Sequence, residues 1–336
     1  MLARAIVAVD TKKVEFRGDI EIGAVGEWDV RVELEASAIS VGTESYVLAN
    51  FKNLGWTSNY IPGYAPVGRI VELGEKASSS FRLGERISYF SSRGAVNVPP
   101  SCGGHLSPAI IDVDPAKRDL LGPDQYVVKV PETLSSERAA FGGISAVSCM
   151  GVSMPKPEVG DKALVIGQGM IGQFAAQHFK LRGCEVCVAD LHDKRLQLSK
   201  QSGADHVVNS TGGKLVESVK AIWPNGADIV CDTTGSFRVV EESVPLCRRR
   251  GKYVFLGWCK GDCALTRFHG HIYEAYFPWT LEGKRVAAAW RLMDIGALKV
   301  DHLITHRFKA SDAQKAYDLI YTAPQEYVGI ALDWTK

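Results

Sequence analysis

Apolar residues in this 336-residue chain recur with two different periods, and the change of period marks its organisation. From residue 1 to about 138, apolar and polar positions alternate over short stretches punctuated by glycine. Examples are Asp29-Val30-Arg31-Val32-Glu33-Leu34, Gly68-Arg69-Ile70-Val71-Glu72-Leu73-Gly74 and Gln125-Tyr126-Val127-Val128-Lys129-Val130. Period two belongs to strands with one buried face and predicts a compact antiparallel barrel. From about 139 to 281, short continuous apolar runs alternate with helical patterns. Strands are expected at 163–166, 185–189, 206–208, 229–231, 253–256 and 272–277, with helices over 171–181, 194–201 and 239–248. That alternation predicts a doubly wound parallel sheet. The tail predicts a helix at 285–294, a strand at 303–308, a helix at 311–319 and a last strand at 329–333. The expected class is α/β, with residues 1–138 and 282–336 in one domain and 139–281 in the other.

One turn carries chemistry. Gly167-Gln168-Gly169-Met170-Ile171-Gly172 follows the apolar run Ala163-Leu164-Val165-Ile166, and Asp190 closes the next run, Val186-Cys187-Val188-Ala189. This is the layout of a dinucleotide-binding unit. The first glycine makes the turn, the second lets backbone approach a pyrophosphate, and the third lets helix and strand pack closely. Asp190 would accept hydrogen bonds from a ribose and repel a 2′-phosphate, so NAD is the expected cofactor rather than NADP.

Composition narrows the class. Lys and Arg total 39 against 38 Asp and Glu, a net charge of +1, and 46% of the residues are hydrophobic. The densest basic cluster, Arg248-Arg249-Arg250, reads as a solvated helix end, so nucleic acid is not expected as a partner. No run of about eighteen apolar residues appears, and the N-terminus reads as a first strand, so neither a membrane span nor a signal peptide is expected. Eight cysteines lie mostly in apolar runs, as reduced core thiols of a cytoplasmic protein do. Cys184 and Cys187 form a CxxC, but on a strand that spacing points them to opposite faces.

Further residues extend the pattern over nearly the whole chain: Gly42-Thr43-Glu44, Pro62-Gly63-Tyr64-Ala65-Pro66-Val67-Gly68, Leu83-Gly84-Glu85-Arg86-Ile87, Gly160-Asp161-Lys162 and Ile304-Thr305-His306-Arg307-Phe308. Together they resemble the medium-chain dehydrogenase/reductase superfamily. The resemblance implies a GroES-like β-barrel catalytic domain, a Rossmann cofactor domain and an alcohol-to-ketone redox reaction. Where zinc alcohol dehydrogenases of that superfamily carry ligands, this chain has Val41, Tyr64 and, about twenty-five residues before the glycine turn, Gly142-Gly143. The four-cysteine structural lobe is missing too, since Cys102 stands alone between 92 and 125. Three protein ligands are the norm for catalytic zinc. The resemblance is therefore to a zinc-free branch that includes bacteriochlorophyllide dehydrogenases and sugar or glycoside dehydrogenases.

Without metal, a side chain must handle the alcohol proton. Four residues compete. Thr43 stands where a hydroxyl starts a relay in the zinc enzymes, or caps a turn. Tyr64 replaces a metal ligand, or merely packs there. Glu44 can receive the proton, or pair with a barrel arginine. His105, after Gly103-Gly104, has a suitable titration range, or is an exposed loop residue. For the cofactor, the superfamily pattern adds Met170 and Ile171 at the helix start, Asp232-Thr233-Thr234-Gly235 after the fourth strand and Leu256-Gly257-Trp258 after the fifth. His269-Gly270-His271 has two imidazoles on one face of an extended segment but no third ligand. Trp56, Tyr60, Trp258, Tyr276 and Trp279 offer stacking surfaces for a sugar or planar ring, or serve packing.

The reading that follows is a zinc-independent, NAD-dependent dehydrogenase interconverting a secondary alcohol and a ketone, on a sugar, glycoside or cyclitol. It is expected to form a homodimer through the 272–277 edge strand. The alternatives are an enone or quinone reductase, a bacteriochlorophyllide hydroxyethyl dehydrogenase, and a non-catalytic NAD(H)-binding protein.

Overall fold

A computed structural model describes residues 1–51, 53, 59–93, 95–117, 126–259, 268–269, 272–278 and 281–335. They form two units: Met1–Ile144 with Leu281–Ile295 and Ile304–Lys336, and Ser145–Thr280 with Gly296–Leu303.

The chain starts with β1 (Leu2–Asp10), β2 (Lys13–Glu21), β3 (Asp29–Ala38) and helix α1 (Val41–Ala49). There follow β4 (Pro66–Leu73), β5 (Arg86–Tyr89), β6 (Leu106–Ser107), β7 (Ala109–Asp112), β8 (Val127–Lys129), α2 (Ser136–Ala140) and α3 (Gly142–Ser153). The second unit holds β9 (Lys162–Ile166), α4 (Met170–Lys180), β10 (Glu185–Asp190), α5 (Asp193–Ser202), β11 (His206–Asn209), α6 (Leu215–Ile222), β12 (Ala227–Asp232), α7 (Phe237–Ser243), β13 (Cys247–Phe255) and β14 (Ile272–Tyr276). The return to the first unit is α8 (Gly283–Asp294), β15 (Ile304–Lys309), α9 (Ala313–Thr322) and β16 (Gly329–Asp333).

In the first unit, β2-β1-β6 make a three-stranded sheet and β15-β16-β3-β4-β5-β8 a second, with β7 also on β3. The expected barrel is built as these two sheets, the second of them mixed, because β15 and β16 pair in parallel. Strand β3 spends its polar positions on partners: Val30 to Ser37 face β4, Ala36 to Ala38 face β16, and Asp29 to Val32 face β7. Its apolar side chains, Val30, Val32 and Leu34, are buried in one core with Ile6, Ile61, Ile110 and Leu332.

In the second unit the parallel order is β11-β10-β9-β12-β13-β14. Successive residues of its central strands alternate between two cores. Leu164, Ile166, Cys187, Ala189 and Val230 lie on one side; Ala163, Val165, Val186, Val188, Ile229 and Cys231 lie on the other. A sheet covered on both faces needs continuous apolar strands, which is why these runs carry no polar alternation. Each such Val or Ile contributes about 1.5–3 kcal/mol of burial. Cys187 lies in one core and Cys184, which precedes β10, in the other. Among the described residues, no disulfide joins Cys102, Cys149, Cys184, Cys187, Cys231, Cys247 and Cys259 to one another. Cys263 lies outside the described residues. No helix among them is long and apolar enough to cross a membrane.

Two expectations are corrected here. The helix expected over 239–248 ends at Ser243, a 3-10 turn spans Val244–Leu246, and Cys247 already begins β13. Pro245 has no N–H to continue the helix ladder. Arg248, Arg249 and Arg250 are consequently exposed strand residues rather than a helix end. Residues 296–303, expected in the catalytic domain, pack in the second unit, where Leu298 and Val300 are buried. There Lys299 N donates to Gln177 Oε1 and His302 meets Ser202.

That unit also buries a titratable group. His178 on α4 is 1% exposed and bonded to Ser145 Oγ, with no partner on Nδ1. Burial, helped by the Arg182 charge, drives its pKa from the ordinary 6.5 to about 3. In the unfolded chain the same imidazole takes a proton below about pH 6.5, so the native state binds fewer protons and stability falls with pH from there towards 3. The expected slope is about 1.4 kcal/mol per pH unit. Urea titrations between pH 7 and 5 should show it, and His178→Gln should flatten it; an unchanged slope in that variant would remove His178 as the cause.

Candidate functional site

The glycine turn in the second unit follows β9. Gly167 has φ 89°, a left-handed conformation that disfavours any side chain. A Cβ on Gly172 would fall 1.9 Å from Gly167 O, so only glycine lets the first turn of α4 close on the strand end. Gly169 caps α4 with extended backbone, and a Cβ there would meet nothing within 4 Å. The second glycine therefore leaves room in front of the helix N–H groups of Met170 and Ile171, as phosphate binding requires.

Asp190, at the end of β10, is buried. Its Oδ2 accepts from Gln168 N at 2.6 Å and its Oδ1 from His192 N at 2.9 Å. Arg195, on the first turns of α5, places Nη1 3.7 Å from the same carboxylate. The carboxylate is thereby fixed beside the turn, and Gln168 and Arg195 join the set of residues legible in the motif. Arg195 could have been suspected from its place in the first turn of the helix that follows Asp190.

The ends of β12 and β13 complete this surface. Thr233 Oγ1 donates to Ile166 O and Gly167 O at 3.0 and 2.9 Å, tying β12 to the turn. Asp232 is fully buried and accepts from Thr234 N, Thr234 Oγ1 and Gly235 N; burial raises its pKa. Asp232 thus shapes the loop, leaving Thr234 exposed. Gly235 and Gly257 are glycines by contact: a Cβ on Gly235 would lie 2.1 Å from Trp258 O, and one on Gly257 2.4 Å from Gly235 N. Trp258 is 42% exposed.

The first unit holds the four proton-handling candidates. Ser40 occupies the N-cap of α1 without capping it through its side chain. Instead Glu44 Oε1, from the fourth helical residue, accepts from Ser40 N at 2.7 Å, and Ser40 Oγ meets Tyr64 Oη at 2.5 Å. Burial pushes the Tyr64 phenol to about 12, moderated by Ser40 and Thr43 and reinforced by the Glu44 charge. Tyr64 therefore keeps its O–H at neutral pH, and either hydroxyl can donate in the pair with Ser40. Thr43 is half-buried beside it.

Glu44 and His105 form a buried pair. His105 Nε2 lies 3.0 Å from Glu44 Oε2, which also accepts from Tyr317 Oη at 2.6 Å. His105 Nδ1 lies 2.9 Å from Ser37 Oγ, which accepts from Trp334 Nε1 at 2.8 Å. A histidine protonated on Nε2, with Ser37 donating to Nδ1, satisfies every group in the chain Trp334, Ser37, His105, Glu44, Tyr317. His105 is not the exposed loop residue considered above, and Glu44 meets no arginine. His105 has no exposed surface, so it reaches a substrate only through others. Tyr317 and Trp334 had no sequence signal, standing 273 and 297 residues from their partners.

The positions where the resemblance would place zinc ligands have other occupants. Gly142 lies under Trp290, whose indole donates to Ala139 O at 2.8 Å; a Cβ on Gly142 would come within 2.2 Å of that nitrogen. Among the described residues, no three His, Cys, Asp or Glu side chains gather as a metal site. The residues at these positions do not fit a catalytic zinc. Of the aromatic set, Tyr60 is a core residue, 1% exposed and stacked on Phe51 at 5.5 Å. Tyr276 lies on the edge strand β14, next to Glu274. Trp56, Trp279, Gly270 and His271 lie outside the described residues, and His269 lies in a turn.

Comparison with known proteins fits this construction. Residues 171–278 match the family model described as zinc-binding dehydrogenase. D-xylulose reductase of Scheffersomyces stipitis is 26% identical over 321 residues, covering 87% of this chain and 88% of its own. Among solved structures, an alcohol dehydrogenase of Escherichia coli CFT073 complexed with NADH superposes with a TM-score of 0.82 at 21% identity, over 99% of both chains. A zinc-binding-type dehydrogenase of Sinorhizobium meliloti 1021 bound to NADP gives 0.82 at 20% identity, again over 99% of both. With its parallel-sheet unit, its separate mixed-sheet unit and the glycine turn on β9, the chain is similar in sequence and fold to medium-chain, zinc-binding-type alcohol dehydrogenases.

Proposed function

We propose that this chain is an NAD(H)-dependent, zinc-independent dehydrogenase that interconverts a secondary alcohol and a ketone on a polyol, sugar, glycoside or cyclitol. The observation that carries the reading is Asp190, a buried carboxylate fixed by Gln168 N and His192 N beside a turn that only glycine permits. That arrangement suits a ribose diol and disfavours a 2′-phosphate. Gly167, Gly169, Gly172, Met170, Ile171, Asp190, Thr233, Thr234, Gly257 and Trp258 would hold the dinucleotide, which supplies the hydride acceptor or donor. The similarity to D-xylulose reductase supports a polyol or ketose substrate.

For the proton, Tyr64 is the group of choice. Its phenol sits at a ligand position of the zinc enzymes and stays protonated at neutral pH, so it can donate to a ketone oxygen during reduction as Ser40 or Thr43 relays a replacement proton from solvent; in oxidation the phenol takes the alcohol proton as it passes its own back along the same hydroxyls. Val41, Tyr64 and Gly142 in place of ligands support zinc independence. The reading includes a cytoplasmic homodimer paired through β14, the outer strand of its sheet.

Calorimetry with NADH and NADPH tests the cofactor assignment. NADH is expected to bind at least about tenfold more tightly, and Asp190→Ser, which leaves Arg195 in place, should shift the preference towards NADPH. Equal or tighter NADPH binding to the parent chain would overturn it. Turnover of a polyol in the presence of a chelator should match turnover without it.

A further inference from the structure

Gly143 stands where a third metal ligand is expected, and a side chain there would meet the tip of Tyr126: a Cβ on Gly143 would lie 3.0 Å from Tyr126 Oη and 4.0 Å from Tyr64 O. Tyr126 directly precedes β8 and is 5% exposed. Its ring follows Phe90, 6.5 Å away centre to centre, and Phe90 in turn stands 6.0 Å from Tyr64. The phenol oxygen is buried and makes no hydrogen bond of normal geometry, although Ser88 lies beside it. Burial raises its pKa, with the Tyr64 and Cys102 groups near enough to add to the effect, so it remains an O–H donor at neutral pH. A buried hydroxyl without a partner costs about 1–3 kcal/mol, and folded proteins keep few of them.

We infer that Tyr126 is a substrate-binding residue, its hydroxyl donating a hydrogen bond to a hydroxyl or carbonyl oxygen of the polyol or ketose beside the carbon that Tyr64 serves. The inference rests on the reading under Proposed function. It explains why a glycine stands at 143: it leaves the tip of Tyr126 uncrowded, and Tyr126 supplies a neutral donor that orients without taking part in proton transfer.

The test is steady-state kinetics of the full chain with NAD⁺ and xylitol, sorbitol or myo-inositol, comparing the parent with Tyr126→Phe and Gly143→Ala. Tyr126→Phe removes one oxygen atom that holds no protein partner, so its unfolding midpoint should not fall. KM for the accepted polyol should rise about tenfold, the value of one hydrogen bond to substrate, while kcat stays within about threefold. Gly143→Ala, which crowds the phenol oxygen, should raise KM in the same direction. If the parent turns over one of these polyols and Tyr126→Phe leaves KM within about twofold, or lowers kcat alone, the hydroxyl serves only the interior and the inference is wrong. If the parent neither turns over nor is thermally stabilised by any of the three, the reading of function fails first and takes this one with it.

Discussion

Replacing His105 by Leu is expected to destabilise the first unit by roughly 1–3 kcal/mol, the usual cost of leaving a buried acceptor short of a donor. Glu44 is 5% exposed and depends on three donors: Ser40 N, His105 Nε2 and Tyr317 Oη. A leucine fills much of the imidazole's volume but donates nothing, so a carboxylate would be left short of a donor away from water. Ser37 would also lose its acceptor at 2.9 Å. The packing around the ring is equally unforgiving, because a Cβ on Gly63 would fall within 2.6 Å of it. Urea unfolding monitored by tryptophan fluorescence measures the loss. His105→Gln, whose amide can still donate, should recover part of it. A loss below about 1 kcal/mol for His105→Leu would mean that Glu44 finds adequate donors without the imidazole.

Tyr64→Phe is expected to reduce turnover of the true substrate by 10²–10⁴-fold, the range of a positioned acid or base, with NAD affinity nearly unchanged. Within the protein the phenol meets two small hydroxyls, Ser40 Oγ and the Thr43 side chain, so its removal should cost about 1–2 kcal/mol of stability. Thr43→Val should have a smaller effect, because Ser40 meets the phenol directly. Glu44→Gln acts at one remove, through Ser40 N, and should alter stability as much as rate. Stopped-flow reduction of NAD with each variant separates these cases. Turnover of Tyr64→Phe within about threefold of the parent would defeat the proposed proton route.

Much of the second unit was legible in the chain. Continuous apolar runs at 163–166, 186–189 and 229–231, alternating with helical patterns, read as strands covered on both faces, and the GxGxxG spacing placed the turn, the helix start and Asp190 in one local stretch of sequence. Local motifs report local geometry, so Gly172 could be assigned its packing role before any atom was placed. The same locality explains the miss at 239–248: the apolar pattern outweighed Pro245, and the exposed arginines became the start of a strand.

The proton-handling residues show the limit. Tyr64, Glu44, His105 and Thr43 were visible as candidates from residue type and position, but as separate ones. Only the tertiary structure bonded His105 to Glu44, withdrew both from the surface, and left Tyr64 with Ser40 as its partner. Tyr317 and Trp334 stood in no motif at all, since their partners, Glu44 and Ser37, lie on another helix and strand. Sequence by itself determined what depends on neighbours along the chain: the strand and helix periods, the glycine turn, and the residue types at the ligand positions. The tertiary structure decided which polar groups are satisfied and which are not, because burial and hydrogen bonding are properties of residues brought together from distant parts of the chain.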